Sequence, residues 1–179
     1  MILCAGNGET FDFALPIGVG LIETAMNLTR LCLLDPPDFL LFVGTAGSYG
    51  NHGIFEIVES KTAANIETGF LWKKAYTPLD NVISAAGEGR NDTVVNSSNY
   101  ITTDPEAAKL FLKLGIGIEN MEFFSVLRVA QAFEIPAGGL FCVTNYCDEN
   151  AHADFLKNRN EATARLNACV SDRIKVLKR

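Results

Sequence analysis

The stretch FLLFVGTAGSYG, residues 39–50, decides the fold. Its first half is a continuous apolar run without the alternation of a half-exposed strand. Such a run reads as a strand buried on both faces of a sheet. Its second half, continuing as TAGSYGNHG, reads as a loop of glycine and small residues. A second run of the same kind, IPAGGLFCVTN at 135–145, reads as another buried strand.

Helical patterns lie between such runs. GVGLIETAMNLTRLCLL places Leu21, Ala25, Leu28 and Cys32 on one face, and DPPD ends it because proline cannot continue a helix. TDPEAAKLFLKLG carries a polar cap, a proline in the first turn and a terminal glycine. MEFFSVLRVAQAFE reads as a third helix. ADFLKNRNEATARLNACVSDRIKVLKR reads as a long amphipathic one, with Phe155, Ala162, Leu166, Cys169 and Ile174 on its buried side. IFEIVES, KTAANIET, DTVVNSSNYI and GIGIEN read as further strands. Residues 71–92 read as an irregular excursion, and ILCAG and FDFALPIG read as a hairpin around the turn signal NGE. Strands alternating with helices predict an α/β domain, a three-layer α/β/α sandwich around a mixed, largely parallel sheet, spanning 1–179 as one unit.

Composition narrows the function classes. The hydrophobic fraction is 48%, ample for a core, and the net charge is -6 with scattered basic residues, which excludes a nucleic-acid footprint. No run approaches the roughly 18 apolar residues of a membrane span, and the N-terminus lacks a signal-peptide pattern. Five cysteines show no zinc-site spacing, so reduced thiols in a cytoplasmic setting are expected, with no metal.

In α/β sheets, ligands gather at the carboxyl ends of strands. Four segments fall there: GTAGSYG, NSSNYI, ENMEFF and TNYCDENAH. Gly44 and Gly47 permit close backbone approach, and Thr45 offers a hydroxyl; an ordinary tight turn would look the same. GVG at 18–20 opens a helix and could receive an anion. Glu122 sits between Met121 and Phe123. It reads either as a helix-terminal acid with solvent access or as a buried carboxylate gripping donors such as a ribose diol. Asn145 ends an apolar strand, where its amide suits a purine edge or a plain turn. His152 and Asp154 read as a helix-start cluster.

Taken in order, IGVG, VGTAGSYG, FEIVES, VNSSNYI, IENMEFFSV and IPAGGLFCVTNYCDENAH resemble the nucleoside phosphorylase/nucleosidase superfamily, which includes purine nucleoside phosphorylases and 5'-methylthioadenosine/S-adenosylhomocysteine nucleosidases. The resemblance spans roughly residues 10–178. It implies that Thr45 meets phosphate or ribose, and that Ala46 and Gly47 lie near the base. Tyr100 and Ile101 would pack on the purine, and Val19 and Met121 would line the sugar pocket. Glu122 would grip the ribose hydroxyls. Thr144-Asn145 stands where nucleosidases carry a Ser-Asp pair whose acid serves the purine. The VTN at 143–145 instead matches phosphorylases that prefer 6-oxopurines.

Two departures concern the nucleophile. The start is short, lacking an extra strand and loop, so that Glu9 reads as a hairpin-turn residue rather than as the water-activating glutamate of nucleosidases. Phe42 stands where hexameric phosphorylases place an arginine on phosphate. The resemblance implies a pentosyltransferase, a purine nucleoside phosphorylase with Asn145 and Glu122 as catalytic residues. Its partners would be a purine nucleoside and phosphate as co-substrate, with no other cofactor, no nucleic acid and no membrane, in a homo-oligomer. A nucleosidase using water and a non-catalytic nucleoside-binding module are the alternatives.

Overall fold

Leu40–Ser48 forms the central strand β3, and Ala137–Tyr146 (β9) lies parallel beside it through nine residue pairs. The computed structural model describes residues 1–85 and 92–177. In chain order the other elements are β1 (Ile2–Cys4), β2 (Leu15–Pro16), α1 (Leu21–Leu34), β4 (Ile57–Ser60), β5 (Thr62–Ala64), α2 (Thr68–Leu71), β6 (Val82–Ser84), β7 (Val94–Ser97), α3 (Pro105–Lys113), β8 (Ile116–Asn120), α4 (Phe123–Ala132) and α5 (Ala151–Leu177).

The apolar runs are two-faced, as continuous runs must be. Phe42 of β3 and Phe141 and Val143 of β9 point to one side, where α1 and α4 supply Leu28, Cys32, Phe123, Val126 and Leu127. Val43, Leu140 and Cys142 point to the other, against Ala162, Leu166 and Val170 of α5. The sheet is therefore sandwiched between helices, and five of its eight described strand pairings are parallel. β1 and β8 share the free edge of β3, β1 at Leu41 and Phe42 and β8 at Gly47 and Ser48. β7, β5 and β6 continue outward from β8, while β4 edges β9.

Three local expectations change. The N-terminal segment is not a hairpin, because β2 runs parallel to β1. The chain reverses at Gly6–Glu9 and again at Phe11–Ala14, and two reversals restore the original direction. The glycine-rich TAGS is not a loop but the end of β3, which shifts register against β9 between Ala46 and Gly47. The excursion at 71–92 contains the end of α2 and the short strand β6, and its residues 86–91 lie outside the described residues. The five cysteines are all free thiols.

A trio of phenyl rings fills the space between β3, β9 and α4. Phe123 meets Phe141 edge-on with centroids 5.2 Å apart, and Phe42 lies 6.0 Å from Phe141 and 6.4 Å from Phe123. Each such buried ring contributes about 2–3 kcal/mol. Gly139 makes room for the trio: a β-carbon there would stand 2.5 Å from the Phe141 ring and 2.8 Å from the Phe123 ring. Gly139→Ala is expected to destabilise the protein by roughly 1–3 kcal/mol through overpacking, read as a lower urea midpoint with an unchanged m-value.

Candidate functional site

The ends of β3, β8 and β9 open onto a cavity of about 260 Å³. All nine residues expected at a site, Val19, Thr45, Ala46, Gly47, Tyr100, Ile101, Met121, Glu122 and Asn145, lie on its wall. So do three acids, Glu9, Glu119 and Glu122, and one histidine, His152; among the described lining residues there is no lysine or arginine.

Glu122 sits at the N-cap of α4 and is only 6% exposed. Its carboxylate ties the GVG turn to the end of β8. Gly20 N–H donates to Oε1 at 3.0 Å, while Met121 N–H and the Asn120 amide each donate to Oε2 at 3.1 Å. A carboxylate offers about four acceptor directions, so about one remains for a substrate hydroxyl. The GVG turn owes its shape to Gly18 and Gly20, whose positive φ of 100° and 84° bends the chain sharply into α1. That turn does attract an anion, but the anion is the protein's own. Glu122 takes the Gly20 amide, and Asn99 Oδ1 accepts from Leu21 N–H at 2.9 Å.

The N-terminal turn delivers what the sequence reading undervalued. Glu9 is carried beside β3, where its carboxylate accepts from both the hydroxyl and the amide of Thr45. Gly44 is bare at this spot; a β-carbon would stand 3.2 Å from Glu9 Oε2. Glu9 is therefore a cavity residue rather than a solvent-facing turn residue. Local sequence could not reveal it, since its partner lies 36 positions away. Phe42, expected on the nucleophile's side, is instead a member of the phenyl trio, 1% exposed, and does not line the cavity.

At the other end, Asn145 Oδ1 accepts from the Thr144 hydroxyl at 2.9 Å, and its Nδ2 donates to Tyr146 O at 3.0 Å. One N–H and one lone pair of the amide remain uncommitted. Tyr100 and Ile101 form the rim, Tyr100 being 83% exposed. His152 lies on the wall at the start of α5, whereas Asp154 does not line the cavity. Glu119, outside the expected set, is buried and accepts from Tyr49 and Thr102. The strand β8 hides it among apolar neighbours with no sequence signal beyond a lone charge in GIGIEN.

Burial raises both carboxylic acids of the Glu9–Glu122 pair. It lifts Glu122 to about 7; the negative charge of Glu9 adds to this, and the Gly20 and Met121 amides oppose it. Burial likewise raises Glu9, against the two bonds from Thr45.

The wider comparisons agree on architecture. A family model described as the phosphorylase superfamily matches residues 73–175. No curated protein matches the chain. Among solved structures, an aspartate-to-asparagine mutant of Helicobacter pylori 5'-methylthioadenosine nucleosidase with 5'-methylthioadenosine in its active site superposes with a TM-score of 0.82 at 15% identity, covering 97% of this chain and 96% of that one. Native Helicobacter pylori futalosine hydrolase gives 0.82 at 14% identity over the same shares of the two chains. The Neisseria meningitidis nucleosidase with methylthio-immucillin-A gives 0.79 at 15%, covering 98% and 97%. These likenesses establish a shared fold.

The raised Glu122 acid has a consequence for stability. Its folded-state value of about 7 lies above the ordinary 4.5, so the folded protein binds the extra proton between these values. The stabilisation is complete below pH 4.5 and is lost as pH rises through 7, by on the order of 3 kcal/mol. Glu9 acts in the same direction. Urea unfolding at pH 5 and pH 8 is expected to show this loss, and Glu122→Gln is expected to flatten most of it.

Proposed function

Because this chain belongs to the phosphorylase superfamily, we propose that its cavity binds a purine nucleoside and hydrolyses the N-glycosidic bond with water. This reverses the preference drawn from sequence, where phosphorolysis led. One observation carries the reversal. Both anion-binding groups of Thr45, its hydroxyl and its amide, are committed to the carboxylate of Glu9. A phosphate dianion arriving there would face Glu9 and Glu122 with no lysine or arginine among the described lining residues. Like charges in a site of low dielectric repel strongly. Water meets no such barrier, and a carboxylate is the group that activates it. The nucleosidases and futalosine hydrolase of the same fold are consistent with this reading.

The roles follow from position. Glu122, anchored by three protein donors, accepts a ribose hydroxyl and fixes the sugar. Val19 and Met121 flank it, and Tyr100 and Ile101 cover the base. Glu9, oriented by Thr45, takes a proton from the attacking water as its oxygen bonds to C1'. The C1'–N9 electron pair leaves with the base. Asn145 meets that charge with its free N–H and accepts from N7–H once solvent has protonated the departing base. It cannot itself deliver a proton, which favours 6-oxopurines, whose anions are better leaving groups. Preorganised donors of this kind are worth about 3 kcal/mol each. The exposed Tyr100 and Ile101 rim fits assembly into a homo-oligomer, and the free thiols fit a cytoplasmic setting.

Base release from inosine is expected to run at full rate in phosphate-free buffer, yielding free ribose; a rise of tenfold or more on adding phosphate would restore phosphorolysis. Glu9→Gln is expected to lower kcat by about 10²–10⁴-fold with a small change in KM. A variant with wild-type kcat would remove Glu9 from the chemistry. Binding of inosine with no release under either condition would favour a non-catalytic binding module.

A further inference from the structure

Glu122 is the N-cap residue of α4, yet its side chain makes no cap bond. A side-chain oxygen at that position ordinarily accepts from the exposed amides of the first turn. Here two other residues take those amides. Asn120, the last residue of β8, accepts from Phe123 N–H at 3.2 Å through Oδ1. Ser97, the last residue of β7, accepts from Phe124 N–H at 3.0 Å through its hydroxyl oxygen. The parallel pairing of the two strands sets Ser97 beside Asn120, and the Ser97 hydroxyl donates to Asn120 Oδ1 at 2.8 Å. The Phe123 and Phe124 amides are thus satisfied without Glu122, whose carboxylate is left to face the cavity.

The same bonds fix which way the Asn120 amide points. Phe123 N–H can only donate, so it must meet the amide oxygen. The reverse orientation would set N–H against N–H there, and oxygen against oxygen at Glu122. Nδ2 is therefore turned to Glu122 Oε2, 3.1 Å away. Ser97 is 0% exposed and has no water to replace these partners. A continuous chain of donors and acceptors runs from the start of α4 through Ser97 and Asn120 to Oε2, and no member can turn without breaking a bond.

We propose that Asn120 is a positioning residue, held by Ser97, that aims the Glu122 carboxylate at the sugar by capping α4 in its stead and by donating to Oε2. A carboxylate already held by protein donors has little freedom left to lose when a hydroxyl arrives, which is the benefit of preorganisation. This rests on the nucleoside reading of the cavity but not on turnover.

Isothermal titration of the intact protein at pH 8 tests it with two probes. One is 9-deazainosine, a nucleoside whose carbon–carbon link to the base is not hydrolysed; the other is its free base, 9-deazahypoxanthine. The ratio of the two affinities reads the sugar grip. Asn120→Asp separates the two jobs of the residue. Its oxygen still caps α4, so the urea midpoint is expected to stay near wild type, but it sets a second acceptor against Oε2. The nucleoside is expected to bind at least about tenfold more weakly, with the base unchanged. Ser97→Ala releases the Asn120 amide and is expected to weaken the nucleoside several-fold, again sparing the base. An unchanged ratio in Asn120→Asp, or equal weakening of nucleoside and base, overturns the positioning role and leaves the nucleoside reading intact. A wild type that binds the two probes alike, or neither, sinks that reading and the proposal with it. Should Asn120→Asp fail to fold, Ser97→Ala decides by the same ratio. The expected ratios in a protein that releases no base from inosine would sink hydrolysis and support the positioning role.

Discussion

Everything in this molecule hangs on the parallel pairing of β3 with β9. The two strands are buried on both faces, and each flank of the sandwich packs against them: α1 and α4 on the phenyl trio, α5 on Val43, Leu140 and Cys142. Their shared register also positions chemistry. Between Ala46 and Gly47 the register shifts by one residue, leaving Thr144 of β9 as the extra residue where the cavity begins. Thr45, Ala46 and Gly47 come from one strand, and Thr144 and Asn145 from the other. A buried pair of strands cannot slip by one residue without turning its whole apolar set around. The site residues therefore inherit the rigidity of the core.

A second long-range tie closes the cavity. Glu122 reaches across 102 positions of sequence to the amide of Gly20. A buried carboxylate is costly alone, but at the start of α1 it meets unpaired backbone donors and the positive end of a helix. The side chain proposed to face the sugar thus also fixes the approach of α1 to α4. Ser125, one turn into α4, adds a hydroxyl bond to Leu21 O at 2.8 Å. Structure and function compete for the same lone pairs here, and about one is left for a ligand.

Much of this was legible in the amino-acid sequence because it is local or periodic. Apolar runs marked β3 and β9, and Asp104 caps α3 with a bond from Glu106 N–H as its pattern suggested. The nine expected site residues fell on strand ends or in the segments that follow them, which topology brings together. What escaped was non-local. The Asn-Gly turn correctly signalled a reversal, but the second reversal at Phe11–Ala14 carries no comparable signature, so a parallel β1–β2 pair looked like a hairpin. Glu9 looked like a turn residue because nothing near it in sequence names Thr45 as its partner. Glu119 was hidden by its apolar surroundings, since its donors, Tyr49 and Thr102, lie 70 and 17 positions away. Phe42 was assigned to the nucleophile's side by analogy, whereas its parity along β3 points it into the core.

The acidity proposed to turn phosphate away has a constructive side on the proposed reaction. As the glycosidic bond stretches, the ribosyl group becomes cationic while the base becomes anionic. A cavity whose sugar end holds Glu9 and Glu122 presents negative charge where the cation forms, and Asn145 presents an N–H where the anion forms. Neither group has to reorganise, since each is already fixed by protein hydrogen bonds. Burial lifts Glu122 to about 7, with the charge of Glu9 adding to it, and a positive centre forming at the sugar offsets that repulsion. The same pair thus disfavours the resting ionised state and favours the transition state, which is the differential that accelerates a reaction.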